Sequence, residues 1–341
     1  MSLMLLGILN SQAIGGALAS YLAVAHSGSP FISAYPWSSG FGTKYSNPAT
    51  LPTDNGRSVD FSPSVADLAL AHDESPYVAA YAWSDGFGTK YSNPATAIPN
   101  YALGIKFSPS GLDIAVTHFS SPFVSTYPWS SGFGTKYANP ATLPASSGKG
   151  LNFSSSGADI AVGHDFSPYI SVYPWSSGFG TKYSNPATIP ASTVYSVNFS
   201  PSGNDIAIGD GGSPYILTYP WSSGFGTKYS NPATLPANQG NGVHFSPSGN
   251  EIAVAHGLTP FVSVYPWSSG FGTKYANPAT LPTGGGQGVD FSSSGADIAV
   301  AHNTTPFIST YPWSSGFGTK YANPATLLAS TAHGLNFSPT I

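Results

Sequence analysis

The chain alternates short runs of apolar and aromatic residues with turns rich in glycine, proline, serine and asparagine. Residues 287–330 show this pattern once in full. GVDF alternates apolar and polar positions, SSSG turns the chain, and ADIAVAH forms a second apolar run. NTTP then precedes FISTYPW, and the long segment SSGFGTKYANP leads into ATLL. Because alternation between Gly, Pro and Ser turns is typical of strands, the unit is interpreted as four short β-strands.

This unit recurs at a constant spacing along the chain. Successive tryptophans lie 46 residues apart, and they are Trp37, Trp83, Trp129, Trp175, Trp221, Trp267 and Trp313. A period of about 40–50 residues with four strands per unit is typical of a β-propeller blade. The sequence therefore predicts an all-β fold, a seven-bladed β-propeller of four-stranded antiparallel blades.

The two ends of the repeat region carry incomplete units that complement each other. YLAVAH, at residues 21–26, matches a second strand without a first, and GLNFSPTI, at residues 334–341, matches a first strand without a second. Pairing them completes one blade and covers two open sheet edges. We therefore predict a propeller over residues 21–341, closed by its C-terminal strand pairing with the N-terminal blade, and an arm at residues 1–20 outside the repeats.

The arm is apolar and contains no lysine or arginine, so it lacks the positive flank of a secretory signal. It is also too short and too interrupted to span a bilayer. We expect it to dock into a partner protein, with removal as a cleaved signal as the alternative. The expected docking residues are Leu3, Leu5, Leu6, Ile8 and Leu9.

Composition narrows the classes of function. Charged residues make up only 7% of the chain, the net charge is −4, and cysteine is absent. Binding to nucleic acid or to an anionic membrane surface requires a basic cluster, which the sequence lacks. The absence of cysteine excludes disulfides, thiolate metal sites and cysteine nucleophiles. Stability must therefore come from burial and hydrogen bonds.

Several residue types recur at one register position of the repeat, and we call each such set a column. We expect the lysine column to pair with the acids that begin the second strands, with a cationic ring for an acidic polymer as the alternative. We expect the histidines that end the second strands to stabilise turns, because neighbouring blades stand too far apart for the column to share one metal ion. The aromatic columns around each tryptophan are expected to pack between blades. The lysines are Lys44, Lys90, Lys136, Lys182, Lys228, Lys274 and Lys320; the acids are Asp67, Asp113, Asp159, Asp205, Glu251 and Asp297; the histidines are His26, His72, His118, His164, His256 and His302.

One polar position of the first strand is predicted to line the central channel. A wet polar channel is the simpler interpretation, and capture of an ion or a small ligand is the alternative. The chain contains no nucleophile elbow or phosphate-binding loop, so the sequence predicts no catalytic residue, no cofactor, no metal and no enzyme activity. The predicted channel residues are Asp60, Lys106, Asn152, Asn198, His244, Asp290 and Asn336.

The repeats differ from one another mainly in two sets of loops. The connections from the fourth strand to the next first strand vary, as do those from the second to the third strand. In a propeller these two sets share one face, which we call the variable face. Its diversity indicates recognition there, with free drift of exposed loops as the alternative. Aromatic rings beside carboxylates suit carbohydrate, and the candidate ligand-binding residues are Tyr101, Phe119, Phe166, Tyr195, Asp73, Glu74 and Asp165.

Two resemblances to known families add to this interpretation. HFSPSGNEIAVAH and NFSPSGNDIAIGD resemble the inner strands of WD-repeat propellers over residues 21–341, although YPW replaces the WD dipeptide. GFGTKYANPATLP, together with the opening LLGILNSQA, resembles propeller and tail-associated proteins of tailed bacteriophages, particularly marine ones. This second resemblance implies a virion component such as a tail fibre, a tip, a receptor-binding protein or a decoration protein.

The combined expectation is a non-enzymatic protein of the virion. It would contact other virion proteins through the arm and a host-surface glycan or protein through the variable face, without nucleic acid and without membrane insertion. A secreted carbohydrate-binding lectin and an intracellular WD-repeat scaffold are the alternatives. The scaffold is disfavoured because such proteins usually display a more highly charged surface.

Overall fold

The computed structural model describes residues 20–340, which fold into seven antiparallel sheets. No helix that could cross a membrane occurs in these residues. The predicted arm, with Leu3, Leu5, Leu6, Ile8 and Leu9, lies outside the described residues. The strands are β1 Ser20–His26, β2 Ile32–Trp37, β3 Gly56–Phe61, β4 Asp67–His72, β5 Val78–Trp83, β6 Phe87–Lys90, β7 Ala102–Phe107, β8 Asp113–His118, β9 Val124–Pro128, β10 Gly148–Phe153, β11 Asp159–His164, β12 Ile170–Pro174, β13 Val194–Phe199, β14 Asp205–Asp210, β15 Ile216–Pro220, β16 Gly240–Phe245, β17 Glu251–His256, β18 Val262–Pro266, β19 Gly286–Phe291, β20 Asp297–His302, β21 Ile308–Pro312 and β22 Ala332–Phe337.

Each sheet is one blade of a seven-bladed propeller. Blade 1 has the strand order β22-β1-β2, and blade 2 has the order β3-β4-β5-β6. Blades 3 to 7 each consist of three consecutive strands, from β7-β8-β9 to β19-β20-β21. The first strands contact one another around a closed circuit that runs from β22 through β3 back to β19. The first strands therefore surround the axis of the ring, and the third strands lie towards its outer rim.

The C-terminal strand closes the ring, as predicted. β22 pairs antiparallel with β1 and places Phe337 opposite Leu22 and Leu335 opposite Val24. Just beyond the strand, Ser338 donates its N–H to the Tyr21 carbonyl at 2.9 Å and accepts the Tyr21 N–H on its hydroxyl at 3.0 Å. Blade 1 therefore joins strands from the two ends of the described chain.

The fourth strand differs from the sequence prediction in position and regularity. Only blade 2 has a regular fourth strand in the described residues, and it begins at Phe87, well before the predicted ATLL-type segment. In the other six blades the same segment makes one bridge, such as that between Trp129 and Phe133. It also makes two further backbone bonds to the third strand, such as Gly134 N–H to the Pro128 carbonyl at 2.9 Å and Tyr137 N–H to the Thr126 carbonyl at 3.0 Å. In these six blades the outer edge follows the third strand without forming a continuous strand.

The core lies between the blades rather than within them. In most blades the middle strand is buried along its whole length, as in Asp113–His118. Both faces of such a strand are covered by neighbouring blades, and this explains why the second strands are near-continuous apolar runs. Polar residues in these strands consequently need partners inside the protein.

Candidate functional site

Each tryptophan forms a joint with the preceding blade. Trp129 Nε1 donates to Asp67 Oδ2 over 3.0 Å, and Tyr91 Oη donates to Asp67 Oδ1 over 2.7 Å. The indole is 4% exposed and makes edge-to-face contacts with Tyr91, Phe107 and Phe133 at centroid distances of 5.1–5.4 Å. The predicted packing of the aromatic columns between blades is therefore confirmed. The same two hydrogen bonds are made by Asp113, Asp159, Asp205 and Asp297.

The predicted pairing of the lysine column with the acid column is wrong. None of the ion pairs in residues 20–340 joins the two columns. Lys136 Nζ instead contacts Asn139 Oδ1 and, at 3.3 Å, the Tyr137 carbonyl. The chain returns along the third strand after each tryptophan, so the lysine lies on the outer rim, while the acid points into the joint. Burial is the main cause that lowers the pKa of His118 to about 4, and the Lys136 ammonium lowers it further.

Blade 6 has an altered joint. Glu251 stands where the other acids of this column are aspartates. Its longer side chain reaches Ser246 Oγ at 2.5 Å and Ser248 Oγ at 3.2 Å. Trp313 Nε1 is consequently buried without a hydrogen-bond partner.

At the joint between blades 1 and 2 the carboxylate comes from a different position of the repeat. Tyr21 occupies the acid position in blade 1, and Trp83 Nε1 is buried without a partner. Asp85 stands where the other six blades have serine, and it accepts a hydrogen bond from Tyr21 Oη. One carboxylate is thus kept at this joint, but it comes from the following blade.

Four of the six histidines bond a carbonyl of the turn that follows them, as predicted, whereas His72 Nε2 and His302 Nδ1 are buried without a partner. His118 is fully buried, and its Nε2 lies 3.0 Å from Ser125 Oγ while its Nδ1 lies 2.7 Å from the Ser120 carbonyl. In blade 5, Asp210 replaces the histidine and Leu217 replaces the serine, so both partners change together. Residues 20–340 contain no group of three or more His, Cys, Asp or Glu side chains arranged to hold a metal ion.

The first strands carry three successive rings of residues around the channel. Starting from the variable face, these are a mouth ring, a ring of glycine and serine, and a polar ring. The mouth ring is Arg57, Leu103, Lys149, Tyr195, Asn241, Gln287 and His333; the small-residue ring is Ser58, Gly104, Gly150, Ser196, Gly242, Gly288 and Gly334; the polar ring is Asp60, Lys106, Asn152, Asn198, His244, Asp290 and Asn336.

Neighbouring first strands approach so closely at the small-residue ring that most larger side chains are excluded. A Cβ on Gly150 would lie 2.6 Å from the Tyr195 carbonyl oxygen, and one on Gly242 would lie 2.9 Å from the Gly288 Cα. The backbone itself therefore narrows the channel at this level.

The polar ring joins adjacent blades at the axis. Asp60 Oδ2 accepts the Phe107 N–H at 2.8 Å, and Asn336 Oδ1 accepts the Phe61 N–H at 3.1 Å. Asp290 makes the equivalent bond at 2.8 Å and Asn198 at 2.9 Å. Aspartate and asparagine are thus interchangeable for this contact within one ring. A cavity of about 160 Å³ on the axis is lined by six of the seven polar-ring residues, namely Lys106, Asn152, Asn198, His244, Asp290 and Asn336.

Two close pairs of titratable side chains lie in the polar ring. Lys106 Nζ is 2.6 Å from Asp60 Oδ1, and His244 Nδ1 is 3.2 Å from Asp290 Oδ1. Burial disfavours the charge on Lys106, but the Asp60 carboxylate more than offsets this and raises the pKa of Lys106. Burial likewise raises the pKa of Asp60, and the ammonium counteracts part of that shift. An imidazole next to a carboxylate and an ammonium group therefore line the same cavity.

Charged groups at the mouth ring are also paired. Arg57 Nε donates to Asp73 Oδ1 at 2.7 Å, and its Nη2 lies 2.5 Å from Asp73 Oδ2. Lys149 Nζ lies 3.2 Å from Asp165 Oδ2. His333 Nε2 lies 2.8 Å from Ser27 Oγ. Burial lowers the pKa of His333 to about 4, and its neighbour Arg57 contributes to that shift.

The candidate residues of the variable face separate into two groups. Tyr195 lines the channel mouth, and Asp73 and Asp165 hold the mouth cations Arg57 and Lys149. The other four candidates do not line the cavity. Among them, Tyr101 and Phe119 stack with centroids 4.8 Å apart, Phe166 is 67% exposed, and Glu74 is also exposed.

Sequence reasoning missed the mouth ring because it assigned these residues to the variable loops. Arg57, Lys149 and His333 end the segments TDNGR, ASSGK and ASTAH, yet each lies within a first strand. A bulge in the pairing, for example between Gly56 and Ser58, places the extra residue at the mouth. The signal that could have revealed the mouth ring is that its register position holds a different residue in every repeat.

The channel offers the groups that an ester hydrolysis needs. An imidazole oriented by a carboxylate can accept a proton from water. An ammonium group can stabilise the negative charge that develops on a carbonyl oxygen. His244 with Asp290, and Lys106 with Asp60, are these groups.

No protein-family model matches this chain, and no curated protein matches its sequence. Solved structures match its fold. A proposed 6-phosphogluconolactonase from Bacteroides uniformis superposes with a TM-score of 0.70 at 14% identity, covering 94% of this chain and 99% of that one. The periplasmic gluconolactonase of Pseudomonas aeruginosa has a TM-score of 0.68 at 12% identity, covering 94% and 100%. The β-propeller domain of Cps50 (Swd1) from Myceliophteria thermophila has a TM-score of 0.61 at 12% identity, covering 83% and 90%.

These likenesses support the seven-bladed propeller and correct the expected function. The match to the Cps50 propeller agrees with the propeller fold that the resemblance to WD-repeat proteins implied. The expectation of a non-enzymatic virion protein is wrong, because proteins with lactonase names share the ring over nearly the whole chain. Nothing in the comparisons links the chain to phage proteins. At 10–14% identity the likeness concerns the fold alone, so an activity must be argued from the chain's own residues.

Proposed function

We propose that this protein is a lactone hydrolase whose reaction site is the polar channel, entered from the variable face. The observation that carries the proposal is the cavity on the ring axis, where the His244–Asp290 pair and the Lys106 ammonium are lining groups. The lactonase names of the proteins that share this fold support the choice of reaction. A lactone is a cyclic ester, so its hydrolysis needs an activated water and a stabilised oxyanion.

In the proposed reaction His244 acts as the general base. Asp290 Oδ1 lies 3.2 Å from Nδ1 without forming a hydrogen bond in this structure. In the proposed reaction a small rotation of the ring makes that bond, which orients the imidazole so that Nε2 accepts a proton from water. The hydroxide attacks the lactone carbonyl, and the oxyanion of the tetrahedral intermediate is stabilised by the Lys106 ammonium. The bond from the carbonyl carbon to the ring oxygen then breaks, the imidazolium returns its proton to the leaving oxygen, and a hydroxy acid is released.

Neutral polar groups at the mouth suit the hydroxyls of a sugar ring. Tyr195, Asn241 and Gln287 line the axial cavity and also a second cavity of about 250 Å³ beside it. Amide and phenol groups both donate and accept hydrogen bonds, which matches the dual character of sugar hydroxyls. The expected substrates are therefore polyhydroxylated lactones.

The proposal is tested by assaying purified full-length protein with a panel of δ- and γ-lactones in a pH-stat. We expect hydrolysis of a sugar δ-lactone above the spontaneous rate, and a loss of at least about 100-fold in kcat/KM for His244→Asn. Asparagine already occupies this register at Asn152 and Asn198, so the variant should fold. Glu74→Gln, an exposed change away from the cavity, is the control. A wild-type rate equal to the spontaneous rate on every lactone would overturn the proposed function.

A further inference from the structure

We infer that the site selects a lactone without a phosphate group, an inference that rests on the proposed function and specifies its substrate class. The observation behind it is that every lysine and arginine lining the axial cavity or the cavity beside it already has a carboxylate partner. The cations are Arg57, Lys106 and Lys149. Their partners are Asp73, Asp60 and Asp165.

The geometry of Arg57 gives the strongest support for this inference. An arginine recognises phosphate best through two parallel N–H groups of its planar fork. In this protein Nε and Nη2 of Arg57 are both directed at Asp73, at 2.7 and 2.5 Å. One of the two edges of the guanidinium that can hold a phosphate is therefore occupied by a carboxylate of the chain.

The remaining charges make the cavity unfavourable for a dianion. Lys106 is held by Asp60 at 2.6 Å in the polar ring, and Lys149 is held by Asp165 at 3.2 Å at the mouth. Asp290 adds a further carboxylate with only His244 beside it. A phosphate entering this site would meet three cations that each already face one carboxylate, together with one additional acid. Its two negative charges would be repelled by these carboxylates in a partly desolvated site.

Binding of inorganic phosphate tests the inference without requiring turnover. Isothermal titration of the wild-type protein with phosphate is expected to show no binding at millimolar concentrations. Asp165→Asn frees Lys149 while keeping an acceptor for Thr193 Oγ1, which donates to Asp165 at 3.3 Å, so this variant is expected to gain phosphate binding. Asp73→Asn should do the same through Arg57. Glu74→Gln makes an equal change in net charge on the same face, but it frees no cation at the cavity and should leave binding absent.

A second experiment compares the kcat/KM for glucono-δ-lactone with that for its 6-phosphate. The wild-type protein is expected to have at least about tenfold higher kcat/KM for the unphosphorylated lactone, and Asp165→Asn should narrow that ratio by about fivefold or more. Phosphate binding by the wild type, or faster turnover of the phosphorylated lactone, would overturn the inference. Absence of turnover with both lactones would instead overturn the proposed function, while the titration still decides whether the site rejects phosphate.

Discussion

At the scale of single residues, the repeats serve as controls for one another. Five joints use an aspartate that accepts one hydrogen bond from an indole and one from a phenol. The two exceptions, at Glu251 and at Tyr21, leave an indole N–H buried without a partner. A buried donor without a partner costs about 1–3 kcal/mol. Stability can therefore be changed at these joints by substitutions that the other blades already contain.

Glu251→Asp is expected to stabilise the protein by about 1–2 kcal/mol, because the shorter carboxylate can accept the hydrogen bond of Trp313 Nε1. The opposite change, Asp205→Glu, should destabilise it, since Asp205 accepts bonds from Trp267 at 3.2 Å and Tyr229 at 2.9 Å. Urea unfolding of both variants measures the two changes. A lower unfolding midpoint for Glu251→Asp would contradict this account of the joint.

The displaced carboxylate at the joint of blades 1 and 2 predicts a non-additive pair. Asp85→Ser removes the acceptor of Tyr21 Oη and should destabilise the protein by about 1.5–3 kcal/mol. Adding Tyr21→Asp restores the arrangement of the other joints, with a carboxylate facing Trp83. A double-mutant cycle by urea unfolding should give a favourable coupling energy of at least about 1 kcal/mol. Additive effects would show that Asp85 does not replace the missing acid.

At the scale of the strand, the buried histidines make stability depend on pH. Burial lowers the pKa of His72, His118, His164, His256 and His302 from the ordinary value of 6.5 to about 4. The unfolded chain therefore binds more protons than the folded protein between pH 6.5 and 4, and stability falls as the pH falls through this window. Each histidine contributes up to about 1.4 kcal/mol per pH unit there.

The expected result is a melting temperature that is nearly constant above pH 7 and drops steeply from pH 6.5 to 4.5. Scanning calorimetry in buffers of matched ionic strength measures it. Circular dichroism should show refolding when the pH is returned to neutral. A melting temperature unchanged between pH 7.5 and pH 5 would contradict the buried, neutral state of these rings.

The strands show which features of the fold could be predicted from the sequence pattern. The 46-residue period and the alternation of GVDF-type segments were sufficient for the blade number, the first three strands and the closing strand. The direction of the side chains after Trp129 could not be predicted from the sequence. Whether Lys136 contacts Asp113 or lies on the outer rim depends on how the chain returns along the third strand. Similarly, the bulge beside Gly56 moves Arg57 from a loop into the channel, and a bulge leaves no clear periodic signal.

At the scale of the whole molecule, closure by β22 is a condition for a stable ring. Deleting residues 334–341 removes Leu335 and the buried Phe337 and exposes the edges of blade 1. Loss of one large buried aromatic costs about 3–5 kcal/mol, so we expect the melting temperature to fall by roughly 10 °C or more. Deleting residues 1–15 is the matched truncation and should have a much smaller effect. Equal melting temperatures for the two truncations would contradict the role of the closing strand.

The ring also accounts for how a nearly uniform repeat can build one asymmetric site. Aspartate occupies the acid position of the joint in five blades, and serine occupies the position of Asp85 in the other six blades, whereas the mouth ring holds a different residue in every blade. Because the first strands converge on the axis, this diversity is concentrated in one cavity. The outer part of each blade maintains the ring, and in the proposed function the inner strands determine which lactone it binds.

The most direct test of the proposed hydrolase site is the kcat/KM of Asp290→Asn with glucono-δ-lactone. Asparagine can keep the bond to the Phe337 N–H, as Asn336 and Asn198 do at the same register, so the melting temperature should hardly change. We predict a loss of about 100-fold or more in kcat/KM, against a change of only a few-fold for Asn152→Ala, which alters the same cavity without touching the His244–Asp290 pair. A correctly folded Asp290→Asn variant with wild-type kcat/KM, or a wild-type protein without activity, would contradict the account.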